Sequence, residues 1–78
     1  MDRNQWEGSV RAALTKLAPD QDAMKRWVEN QSFKVNSAGN LPAGGWWFSA
    51  ESQRMTFTKL TVRWDDSKTP PQLSVEAS

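Results

Sequence analysis

The sequence predicts an α+β fold: an N-terminal helical hairpin packed on a small antiparallel sheet of two or three strands, followed by a flexible C-terminal tail. Three observations lead there. Apolar residues recur at helical spacing in the first part of the chain. Runs rich in aromatic and β-branched residues follow a glycine-rich stretch. The chain then ends polar and proline-containing.

Trp6, Val10, Ala13, Leu14 and Leu17 form the apolar stripe of the first helix. Asp2 is placed to cap its start, with Gln5 three residues on, as a capping box requires. Glu7 and Arg11 stand four apart in the favourable order for a surface pair. Gly8 weakens this helix slightly and Pro19 ends it. A second helix is expected over about residues 20–30, with Asp20 and Asp22 favouring its exposed backbone N–H groups and Met24, Trp27 and Val28 as its stripe. Asp22 and Arg26 can pair across one turn. The short link makes the two helices a tight hairpin.

Residues 33–35 read as a short strand and residues 36–45 as a loop, because glycine, asparagine and proline concentrate there. Residues 46–50 form a strand by aromatic content, 51–54 a polar turn, and 55–64 a long strand, together a β-hairpin. The long strand changes phase. Met55 and Phe57 are apolar at odd positions, whereas Leu60, Val62 and Trp64 are apolar at even ones. Either the sheet is partly covered on both sides, or a bulge near Thr58 and Lys59 puts the two sets on one face; the bulge is the favoured reading. Residues 1–66 are expected to form a single domain and 67–78 a tail, in preference to an edge strand added by Leu73 and Val75. The expected core is Trp6, Val10, Leu14, Leu17, Met24, Trp27, Val28, Phe33, Phe48, Leu60 and Val62.

With 78 residues the core is thin, and proteins of this size often recruit a disulfide, a metal or a second subunit. Cysteine and histidine are both absent, which removes disulfides, thiolate metal sites and the usual acid–base residue. No cofactor and no metal are expected. Asp20 with Asp22, and Asp65 with Asp66, read as cap and turn residues. The glycine-rich residues 38–45 lack the Gly-Lys-Ser/Thr ending of a phosphate loop. These gaps point to a non-enzymatic binding module. A homodimer stays open, no membrane contact is expected, and the cytoplasm is the expected location.

Ten basic residues against nine acidic ones give a net charge of +1, so a basic patch would require local segregation of charge. Lys59, Thr61 and Arg63 alternate along the last strand and share a face, with Arg54 near its start. Either Trp46 with Phe48 or Trp47 with Ser49 joins them. Phe48 is the more plausible core residue, so Trp46 is assigned to the core and Trp47 to the open face. The candidate partner-binding residues are therefore Trp47, Arg54, Lys59, Thr61 and Arg63. Tryptophan among cations suits a protein interface, and it also suits stacking of single-stranded nucleic acid.

Met24-Lys25-Arg26-Trp27-Val28, followed by Phe33, resembles the Arg-Trp-Val stretch of phage excisionases over about ten residues. The resemblance implies a winged-helix DNA-binding architecture with residues 46–64 as the wing. The chain departs from that pattern at residues 41–45, which lack a proline run and a lysine, and in the acidic load of Asp20, Asp22 and Glu29. The function expected from the residues is a protein-binding regulator or inhibitor of the kind encoded by phages and other mobile elements, with nucleic acid as the alternative partner.

Overall fold

The computed structural model describes residues 2–52 and 59–78. Two helices, α1 (Arg3–Leu17) and α2 (Gln21–Asn30), precede four strands: β1 (Phe33–Asn40), β2 (Gly45–Ser52), β3 (Lys59–Asp65) and β4 (Gln72–Ala77). The strands form one antiparallel sheet in chain order.

Both helices begin on a side-chain cap. Asp2 Oδ1 accepts the N–H of Gln5 at 2.8 Å, and Asp20 Oδ1 accepts that of Ala23 at 3.0 Å, each satisfying a donor that has no partner within its helix. Trp6, Val10 and Leu14 of α1 and Met24 and Val28 of α2 are buried. They meet Phe33, Phe48, Ala50, Leu60, Val62, Val75 and Ala77 from one face of the sheet. Trp6 stacks on Phe33 at 5.4 Å between ring centroids, tying α1 to the start of β1. Leu17 and Trp27, expected in the core, pack against it from its partly buried margin.

The sheet has four strands because the segment expected to be a tail supplies one. β4 pairs with β3 from Leu60↔Ala77 to Asp65↔Gln72, and Val75 and Ala77 are buried. Leu73, Val75 and Ala77 occupy alternate positions and point at the helices. Glu7, expected to pair with Arg11, accepts the N–H of Ala77 at 2.8 Å and anchors the end of β4 to α1.

The segment expected as a loop is also largely strand. β1 continues through residues 36–40, leaving residues 41–44 as the turn. Pro42 occupies the second position of that turn, where its fixed φ is favoured, and Gly44 the fourth, at φ +119°. Gly44 N–H donates to Leu41 O and Leu41 N–H to Gly45 O, both at 3.1 Å. Gly45, at φ +108°, packs so tightly that a Cβ there would lie 2.0 Å from the carbonyl oxygen of Trp64.

The register break among the described residues lies in β1, between Val35 and Ser37. Asn36 is the extra residue. Phe33 and Val35 therefore face the helices before it, while Ser37 and Gly39 face away after it. The bulge expected near Thr58 and Lys59 falls at the border of residues 53–58, outside the described residues, as do Met55 and Phe57. Leu60, Val62 and Trp64 do share one face, with Leu60 and Val62 buried. Residues 51 and 52, expected in a turn, extend β2. The winged-helix expectation is not met. In place of a free-standing wing, the β2–β3 hairpin is the centre of the sheet, paired on both sides.

Candidate functional site

The helices cover one face of the sheet, and the other face carries the sequence-predicted residues. Register and alternation place Lys34, Ser37 and Gly39 of β1 there, with Trp47, Ser49 and Glu51 of β2, Lys59, Thr61, Arg63 and Asp65 of β3, and Ser74 and Glu76 of β4. Trp47, Lys59, Thr61 and Arg63 are thus brought together. Trp47 stands opposite Arg63, Ser49 opposite Thr61, and Glu51 opposite Lys59. Arg54 lies outside the described residues.

The two adjacent tryptophans divide as the pattern of Phe48 requires. Trp46 points to the helix side, packs against the core and stacks on Phe48 at 6.0 Å between centroids. It remains partly exposed at the end of the sheet near the turn, in register with Trp64, which is also partly exposed. Trp47 points to the open face. Its indole leans across the cross-strand position of Gly39: a Cβ on that glycine would lie 2.7 Å from Nε1 and 3.0 Å from Cε2. Only glycine leaves room for a ring held that close to the β1 backbone. The bulge at Asn36 brings Gly39 onto this face, so bulge, glycine and ring form one device.

Among the described residues the open face is polar and balanced in charge. Lys34, Lys59 and Arg63 are exposed, and Glu51 and Glu76 are exposed between and beside them. Asp65 brings the described acidic groups to the same number as the basic ones. Lys34, Glu51 and Lys59 alternate in sign along one row across the sheet. Ser49 is buried beneath its longer neighbours, with Oγ 3.4 Å from Thr61 Oγ1. Thr61, Arg63, Ser74 and Glu76 line a shallow depression of about 180 Å³.

At the edge of this face, Asp65 accepts hydrogen bonds from the hydroxyl and, at 3.1 Å, the N–H of Ser67. The Ser67 hydroxyl chiefly, then the Ser67 N–H and the Lys68 and Arg63 charges, hold its carboxyl below the ordinary value of 3.8. Asp20 is occupied as a helix cap. Among the described residues no three acidic side chains converge as metal ligands, and no helix is long and apolar enough to cross a membrane.

Sequence reasoning missed Lys34, Glu51, Ser74 and Glu76 as members of this face. Glu51 was legible from its parity with Trp47, and Lys34 from its parity with Phe33, but Ser74 and Glu76 required β4 to be recognised as a strand. Asp65, in phase with Arg63, was missed as well. Comparison of the chain with protein-family models, curated proteins and solved structures finds no match to any of them.

Proposed function

We propose that this chain is a small binding module that docks on another protein through the open face of its sheet, with Trp47 as the anchor and Lys59, Thr61 and Arg63 beside it. The reading rests on the placement of Trp47. The ring is partly exposed, lies on a polar face, and leans over Gly39, whose missing side chain leaves room for it against the β1 backbone. A large ring with only two side-chain torsions loses little conformational freedom on binding, which is why such residues carry much of the energy of protein interfaces.

Charge balance favours protein over nucleic acid. Grip on a phosphate backbone needs a concentration of cations. Here each row holding a lysine or arginine is flanked by a carboxylate from the same face. Interleaved signs instead suit pairing with a protein surface of fixed pattern, where they set register and exclude wrong partners. A regulator or inhibitor would act by covering its partner's surface through this face.

The test is capture from a lysate of the source cells with wild type and with Trp47→Ala, before and after nuclease. The expected partner is a protein retained after nuclease and lost with Trp47→Ala while the far-ultraviolet spectrum stays unchanged. Capture abolished by nuclease would overturn the reading, and so would equal capture by a folded Trp47→Ala chain.

A further inference from the structure

The two edges of the sheet are built differently. Lys59 and Ser78 exchange backbone hydrogen bonds at 3.0 and 2.9 Å, so in the next pair, Leu60↔Ala77, Ala77 turns its backbone groups outward, away from β3. The outward N–H of Ala77 is the one that Glu7 covers. Glu76 adds a charge to β4, and Pro70 and Pro71 precede it. These are the means by which an edge strand is kept from pairing with another chain.

Among the described residues, none of these is found on β1 from the bulge onward. Leu41 bonds to Gly45, so the alternation turns Ser37 and Gly39 toward β2 and Ala38 and Asn40 outward. Residues 35–41 carry no charge and no proline, and Ala38 and Asn40 are exposed. α2 packs on β1, but Phe33 and Val35 are the β1 residues in contact with the core. The exposure of Ala38 marks the stretch that the helix layer leaves free.

We infer that the 37–41 edge pairs with the same edge of a second copy, antiparallel, about a two-fold axis passing beside Gly39. The occupant follows from the edge itself. Outward N–H and C=O groups at alternate residues accept an extended strand, and an uncharged edge with small side chains accepts an uncharged one. β1 supplies that strand. Its one charge, Lys34, falls outside the paired stretch, so no like charges meet across the seam. The register follows from the outward groups and the glycine. Ala38 meets the second copy's Asn40, Gly39 meets Gly39, and Ser37 meets Leu41. Facing glycines leave space at the seam for the two Trp47 rings, each leaning over its own Gly39. The product is an eight-stranded sheet with both open faces on one side. So short a seam buries less than about 1,200 Å² and makes a weak, concentration-dependent dimer. Pairing of this edge requires no other protein.

Sedimentation of the purified chain from about 10 µM to about 1 mM tests it, spanning the range of weak association. Wild type should rise from monomer toward twice the monomer mass. Ala38→Pro removes one outward N–H per copy at a position where an edge strand tolerates proline. It should weaken association at least about tenfold. Ala38→Lys, which places two cations near the axis without touching the backbone, should do the same and recover partly in high salt. Ser74→Lys on the exposed side of β4 should dimerise like wild type. A monomer at every concentration would overturn the proposal. So would undiminished association of folded Ala38→Pro and Ala38→Lys, or loss of association in Ser74→Lys.

Discussion

Val75→Ala separates a packed fourth strand from a loose tail. Val75 is 2 % exposed and stands between Leu73 and Ala77 on the helix-facing side of β4. The substitution removes two carbon atoms from a buried site, worth about 1.6 kcal/mol by transfer. The surrounding core, which includes Val62 directly across the strand pair, can close only part of the space, so a cavity penalty is added. The expected loss is about 2 kcal/mol. A domain of this size loses roughly 4–8 °C in Tm per kcal/mol, so the midpoint should fall by about 8–16 °C. Thermal melts followed by circular dichroism measure it directly, and a chain ended after Ser67 should melt still lower because it also loses Ala77 and the Glu7 contact. A fall below about 3 °C for Val75→Ala would refute the packing of β4 and restore the tail.

Gly45→Ala should cost about 3 kcal/mol or more in chemical denaturation, because its Cβ meets a backbone oxygen at a positive φ. Glu7→Ala should cost about 1–2 kcal/mol by exposing the Ala77 N–H without a partner, and Glu7→Gln should recover part of that. Trp46→Ala should destabilise by about 3 kcal/mol and Trp47→Ala by less than about 1.5 kcal/mol, since only the former packs on the core; equal losses would mean that both faces are covered. Asp65 has a folded pKa below 3.8, so its contribution is present above that value and lost as pH falls through the folded value. The stability gap between wild type and Asp65→Asn should accordingly close in acid, and a gap unchanged down to the lowest folded pH would remove Asp65 from the turn.

The helices were legible because their signals are local. Asp2 and Asp20 act within three residues, and the stripes of Trp6, Val10 and Leu14 or Met24 and Val28 repeat within single elements. The core face of the β2–β3 hairpin followed from Phe48, Leu60 and Val62 by parity alone. β4 was not legible because its apolar content is small, only Leu73, Val75 and Ala77. Its stability comes from nonlocal partners: the β3 ladder, the α1 face and the Glu7 carboxylate. The second half of β1 was hidden by composition. Asparagine, serine and glycine disfavour a strand intrinsically, and here pairing with the aromatic β2 overrides that preference. The role of Gly39 could not be read in advance, since it depends on a one-residue bulge that decides which tryptophan it meets. Four of the five candidate site residues converged because alternation on one strand and parity with Phe48 suffice to place them.

The proposed role of Trp47 is to anchor a protein interface on a face whose described charges balance. Its most direct test is the affinity of the captured partner, measured by calorimetry across a tenfold range of salt for wild type and Trp47→Ala. Three basic side chains gripping a single strand would give a log–log slope of about −2, a loss of about 100-fold over that range. A protein interface should give a nearly flat response for wild type and a loss of about 30-fold for Trp47→Ala at every salt concentration, as a hot-spot residue worth about 2 kcal/mol gives. A steep slope, or a folded Trp47→Ala chain that binds as wild type does, would contradict it.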